Sequence, residues 1–232
     1  DIGLSAVGYN NQNDALLIGY ENGNIDLILG NQTFNLFQIK ESNVTGDKKI
    51  NHIYSKGDLT YFSCGFGVVV YDIKKREVKD TYVLGPGGSQ IRINQLSIQG
   101  GKIYVATEIG LFSADESNSF LADFNSWSKT TSFPNFNNEV KDIAGTFNTL
   151  IMNVRQSANV DSVYVFKNSS WSSLSNYGGK LNNSVSAENG ILMINHFDTI
   201  YALDTSLNVV HTMTNYDGYW KPNCNDIAFD GN

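Results

Sequence analysis

A short strand-like segment returns along this chain at a period in the low forties. Aligning the strand that opens each unit puts Val7, Ile53, Leu96, Ile143, Val185 and Ile227 in register, separated by 46, 43, 47, 42 and 42 residues. Several short strands per unit, no helical periodicity and this spacing form the sequence pattern of a β-propeller. Each blade buries its faces only against its neighbours, so the period is a packing constraint as well as a pattern. The turn glycines Gly23, Gly67 and Gly110 fall 44 and 43 residues apart and give the same phase. The predicted fold class is all-β: a propeller of four-stranded antiparallel blades, beginning near residues 4, 50, 93, 140, 182 and 224. The single predicted domain, 1–232, thus holds about five blades and the start of another.

Each unit divides into strands A to D. In the second, A lies around Asn51 to Tyr54, B runs from Leu59 to Cys64, C from Val68 to Asp72 and D from Glu77 to Leu84. Lys74-Lys75-Arg76 closes the C–D hairpin and reads as a solvated tip. Val68-Val69-Val70-Tyr71 and Leu150-Ile151-Met152 are apolar at consecutive positions, which requires a strand covered on both faces. In the fourth unit, Arg155 to Asp161 is expected to form an enlarged turn. Five blades and a stub would leave sheet faces bare beyond what a monomer normally exposes. The domain is therefore expected to be incomplete, and Asp1-Ile2-Gly3-Leu4, with no leader, suits a mature or excised piece.

Composition narrows the function. A net charge of −7 offers no basic face for nucleic acid, and no apolar run approaches the ~18 residues of a membrane span. Asparagine is abundant, with 29 residues, as tight turns favour. Cys64 and Cys224 are read as buried free thiols, with a disulfide as the alternative. His52, His196 and His211 lack metal-ligand spacing, and no Gly-x-Ser-x-Gly elbow frames a nucleophile. Glu21 and Glu108, both in B–C turns, form the one carboxylate pair in phase and read as solvated charges. Neither catalytic residues, nor a metal, nor a cofactor is expected.

Three stretches carry a resemblance. Cys64-Gly65-Phe66-Gly67-Val68-Val69-Val70-Tyr71-Asp72, followed by Lys75-Arg76-Glu77-Val78-Lys79-Asp80-Thr81-Tyr82 and Gly85-Pro86-Gly87-Gly88-Ser89, resembles the N-terminal propeller of PorZ-like proteins. Leu121-Ala122-Asp123-Phe124-Asn125-Ser126-Trp127 is similar to that family's third-unit outer loop. Ile103-Tyr104-Val105-Ala106-Thr107, with Gly110-Leu111-Phe112, resembles the two-component-regulator propeller repeat. The PorZ resemblance is dense over residues 50–130 and beyond 140 rests on the period alone. It implies part of a seven-bladed propeller in a surface-exposed accessory subunit of the type IX secretion system of Bacteroidota. It also implies partners: a PorU-like sortase and other attachment-complex subunits, which link cargo to anionic lipopolysaccharide at the cell surface.

Binding by a propeller is expected where D–A connections and B–C turns share one end of the blades. Lys48, Lys49, Arg92, Lys180 and Lys221 lie in or beside D–A connections of an otherwise acidic chain, and suit an anionic glycan or acidic protein patch. Tyr219 and Trp220 add aromatic surface beside Lys221. The expected function is a non-enzymatic interaction scaffold. The alternatives are a periplasmic oligosaccharide-sensing propeller of a hybrid two-component system and a carbohydrate-active enzyme completed by other blades. Sensor propellers usually carry a Trp in the strand that here reads Ile103-Tyr104-Val105-Ala106-Thr107, which favours the scaffold.

Overall fold

The computed structural model describes residues 2–196 and 199–214. Their strands form five antiparallel sheets, each ordered as the chain runs. The first comprises β1 (Leu4–Asn10), β2 (Ala15–Tyr20), β3 (Ile25–Leu29) and β4 (Gln32–Leu36). The second is β5 (Ile50–Lys56), β6 (Leu59–Cys64), β7 (Gly67–Asp72) and β8 (Glu77–Tyr82). The third is β9 (Ile93–Gln99), β10 (Lys102–Thr107), β11 (Gly110–Asp115) and β12 (Ser128–Lys129). The fourth is β13 (Val140–Thr146), β14 (Thr149–Ser157), β15 (Val160–Lys167) and β16 (Ser170–Ser173). The fifth is β17 (Asn182–Glu188), β18 (Ile191–His196), β19 (Thr199–Asp204) and β20 (Val209–Thr214). Among the described residues the chain is an all-β propeller with five four-stranded antiparallel blades. Among the same described residues the α-helix is confined to one four-residue turn, α1 (Gln38–Glu41).

The repeat is visible residue by residue. Val7, Ile53, Leu96, Ile143 and Val185 each occupy the fourth place of a seven-residue first strand. Register shifts recur at the same point, between Leu4 and Ala6, Ile50 and His52, Val140 and Asp142, and Asn182 and Ser184. Such a bulge re-aims the extra side chain. Asn51 Nδ2 uses this to donate to Ile93 O at 2.8 Å, and Lys141 Nζ to donate to Asn182 O at 2.5 Å. In both cases the acceptor opens the next blade. Ile227 lies outside the described residues.

The chain divides into two compact units, Asp1–Leu96 with Ser117–Ser128, and Ser97–Glu116 with Lys129–Asn232. In the first unit, Ala15, Leu17, Ile25 and Leu27 of one blade pack against Ile50, Ile53, Phe62, Cys64, Val69 and Tyr71 of the next. The far face of the first sheet leaves Leu4, Val7 and Tyr9 exposed. In the second unit, Leu150 and Met152 join one core with Tyr104, Ala106 and Leu111, whereas Ile151 joins another with Val185, Leu192 and Ile194. Alternate residues of β14 thus serve opposite cores, the physical reason for its unbroken apolar run.

One expectation needs correction. Arg155 to Asp161 is no enlarged turn: β14 and β15 stay paired through Arg155↔Asp161 to Ser157↔Val160, with a bulge between. The cause is Asp161, a fully buried carboxylate that the hairpin must deliver to Lys141 and to the Asn182 backbone. Gly67 is the first residue of β7, and it needs glycine twice over: its φ of 156, like the 127 of Gly110, is positive as expected for a turn glycine, and the space is also closed. A Cβ there would stand 2.3 Å from Tyr82 O, and one on Gly110 would stand 2.4 Å from Phe136 O.

Candidate functional site

The cations at the D–A ends of the blades are not equivalent. Lys48 Nζ donates to Lys40 O at 2.8 Å and Ser42 O at 2.7 Å, so it braces its own connection around α1. Lys49 is more open, 3.9 Å from Glu21 Oε1 in a loose surface pair. Arg92 Nε donates to Asn94 Oδ1 at 3.1 Å and is half-buried. Those three belong to the first unit and Lys180 to the second. Lys180 is exposed, and its carbonyl accepts from Asp161 N at 2.9 Å. Tyr219, Trp220 and Lys221 lie outside the described residues, as does Cys224.

Beneath Lys180 lies a buried polar network that the sequence reading missed. Asp161 Oδ2 accepts from Lys141 Nζ at 2.9 Å and from Asn182 N at 3.0 Å, with Arg155 Nε 3.3 Å from Oδ1. Asn182 Nδ2 donates to Tyr177 O at 3.0 Å, and His196 Nδ1 lies 2.6 Å from Asn182 Oδ1. Asn153 Nδ2 bridges to Asp142 Oδ2 at 3.3 Å. These partners are internal, so the network stiffens the connection that carries Lys180. The one signal in the sequence was Lys141 at the bulge position where another blade has Asn51.

In the first unit, His52 Nε2 stands 3.3 Å from Gln95 Nε2 of the next blade. Burial holds its pKa down to about 4, so the ring is neutral at physiological pH. Burial, reinforced by Asp47, pushes the Cys64 thiol up, leaving it inert. The outer loop is built by local bonds. Asp123 Oδ1 accepts from Asn125 N at 2.9 Å, Trp127 Nε1 donates to Leu121 O at 2.8 Å, and the indole packs 5.7 Å from Tyr82.

Two clefts lie at the other ends of the blades, among the A–B and C–D turns. In the first unit a cleft of about 400 Å³ is lined by Leu29, Phe34, Ile73 and Arg76. Arg76 stacks 4.7 Å over Phe34, Lys74 pairs with Asp58 at 3.0 Å and Lys75 lies 3.9 Å from Asp72 and Glu77, and all three are exposed as a solvated tip is. In the second unit a larger cleft, of about 570 Å³, includes Tyr104, Phe147 and Phe166. Nothing in its sequence pattern marked it except Phe147-Asn148, standing where other blades turn on Gly57 or Gly100-Gly101.

No curated protein sequence matches this chain. Among solved structures it is similar to PorZ, an essential bacterial surface component of the type IX secretion system of Porphyromonas gingivalis. That likeness has a TM-score of 0.76 and 19% identity, over 93% of this chain and 27% of that one. It is also similar to the extracellular domain of the putative hybrid two-component system BT4673 from B. thetaiotaomicron, with a TM-score of 0.60 and 15% identity over 88% of this chain and 26% of that one. A computationally designed protein, Ika8, gives 0.61 and 13% over 91% and 61%. At these identities the likeness is one of fold, and the chain spans about a quarter of the solved PorZ chain. The family model described as "TSS9, PorZ, N-terminal beta-propeller domain" matches residues 1–128, which contain the second-blade motif and the Trp127 loop. With more than half of its length matched, the chain belongs to the PorZ N-terminal β-propeller family of the type IX secretion system.

Proposed function

We propose that this chain is a non-enzymatic interaction propeller of a PorZ-like secretion component at the cell surface. There it works with a PorU-like sortase and other attachment-complex subunits to link cargo to anionic lipopolysaccharide. The observation that carries the reading is the family match over residues 1–128. The seven-bladed closure that the resemblance implies belongs to the same proposal, as does the role of Tyr219, Trp220 and Lys221 beside the rim cations. No helix among the described residues is long and apolar enough to cross a membrane.

Within this reading the anion-accepting positions are Lys49, Arg92 and Lys180, while Lys48 braces its own connection. The test is the double reversal Lys49→Glu with Arg92→Glu, assayed for binding to purified anionic lipopolysaccharide and to the sortase across a salt series. Exposed contacts are worth no more than about 1 kcal/mol each, so the pair should weaken binding several-fold, with the loss shrinking as salt rises. Reversing Lys75 and Lys79 serves as the charge control. Equal loss in the control would mean that only net charge matters and would remove the rim from the proposal. The sensing alternative draws on the likeness to the B. thetaiotaomicron extracellular domain. A transmembrane helix and kinase in the same polypeptide would favour it, and a sortase-type signal domain would exclude it.

A further inference from the structure

The larger cleft of the second unit opens between the β9–β10, β13–β14 and β15–β16 turns. Its floor is Tyr104, Leu150 and Phe166. The Tyr104 and Phe166 rings stand 6.4 Å apart and tilted by 50°, and Phe166 is backed by Trp171 at 5.2 Å. The charged groups in the lining are Lys102 and Lys167, with no carboxylate among the described lining residues, in a chain of net charge −7. Lys167 Nζ donates to Thr205 O at 2.6 Å, which leaves two of its three N–H groups for another acceptor.

Phe147 stands at the mouth, 72% exposed. With Asn148 it forms the two-residue turn between the paired Thr146 and Thr149, at φ 42 and 62. A bulky side chain in the left-handed region is an outlier, and such strain persists only where the surroundings enforce it. They do so here. With its amide oxygen turned to the loop, Gln99 accepts from Phe147 N at 3.2 Å, and Gly190 N donates to Thr146 Oγ1 at 2.9 Å. A Cβ on Gly190 would stand 2.8 Å from the Phe147 ring. The fold thus holds an aromatic ring in solvent at a place where glycine would cost less.

We propose that this cleft docks an acidic segment of a partner protein. The segment inserts one aromatic side chain beneath Phe147, edge-to-face with Tyr104 and Phe166, and sets flanking carboxylates against Lys102 and Lys167. Tilted, already packed rings suit an inserted aromatic edge, whereas a sugar would need an open flat ring face. The cations match the acidic flanks. This inference stands apart from the D–A cations, since it concerns the opposite ends of the blades.

The test is fluorescence anisotropy of the full chain with a fluorescein-labelled Asp-Glu-Trp-Glu-Asp peptide, alongside thermal melts. Saturable binding is expected, weakened about tenfold or more by Phe147→Gly, as for an interface anchor. Phe147→Gly should melt at the same or a higher temperature. Lys102→Glu, an exposed change that leaves the turn intact, should also weaken binding. A peptide with Ala for Trp should fail to bind. Full binding by Phe147→Gly, or by the Ala peptide, would overturn the proposal. So would binding of a neutral oligosaccharide probe, maltopentaose, in place of the peptide.

Discussion

Burial holds the His52 imidazole near a pKa of 4, against 6.5 for the free side chain. The residue is half-buried, but its Nδ1 is shut from solvent and finds no partner among the described residues. The unfolded chain therefore binds a proton in the window from 6.5 down to about 4 that the folded chain refuses. Stability from this group is whole above 6.5 and drains as pH falls through the window, by on the order of 2–3 kcal/mol. Urea melts at pH 7 and pH 4.5 should show a smaller difference in His52→Asn than in the parent; an equal difference would contradict the assignment. Lys141 offers a second residue-scale test. Lys141→Met takes away one of the two cations that face buried Asp161, leaving Arg155, and should cost about 1.5–3 kcal/mol. The double change with Asp161→Asn should recover part of that loss in the same melts. Neither network was legible beforehand. A buried histidine or aspartate looks like any polar residue on a strand until its partner in space is known, and those partners are 43 and 20 residues away.

Elements were far more legible than contacts. The seven-residue first strands follow from the register of Val7, Ile53, Leu96, Ile143 and Val185, because a period of one blade repeats the same packing demand. The β14–β15 hairpin was not, since Arg155-Gln156-Ser157-Ala158-Asn159 has the composition of a loop and stays paired only because Asp161 anchors it. The Trp127 loop lies between these cases: its motif was visible, while the bond from Trp127 Nε1 to Leu121 O was not. Trp127→Phe should keep most of the packing on Tyr82 yet lose that bond, costing about 1–2 kcal/mol. Chemical denaturation measures this, and an unchanged midpoint would show that the loop does not need it. Gly67→Ala should be worse tolerated, because the added methyl meets a carbonyl of the neighbouring strand at 2.3 Å.

For the whole molecule, the period decided the fold class, and the family follows from motifs within residues 1–128. The interaction surface was only half legible. Sequence can place Lys48, Lys49, Arg92 and Lys180 in D–A connections, but it cannot show that Lys48 is consumed by two carbonyls of its own loop. It also gave no hint that the clefts lie at the opposite ends of the blades. The central claim is that the propeller serves secretion and surface attachment through binding. Its most direct test is to delete the coding region for this chain in its host and measure how much type IX cargo remains cell-attached. The account predicts that cargo is lost from the surface and restored by the parent chain, with Lys49→Glu plus Arg92→Glu restoring less. Unchanged cargo attachment, with loss instead of a transcriptional response to an oligosaccharide, would contradict it and favour the sensing propeller.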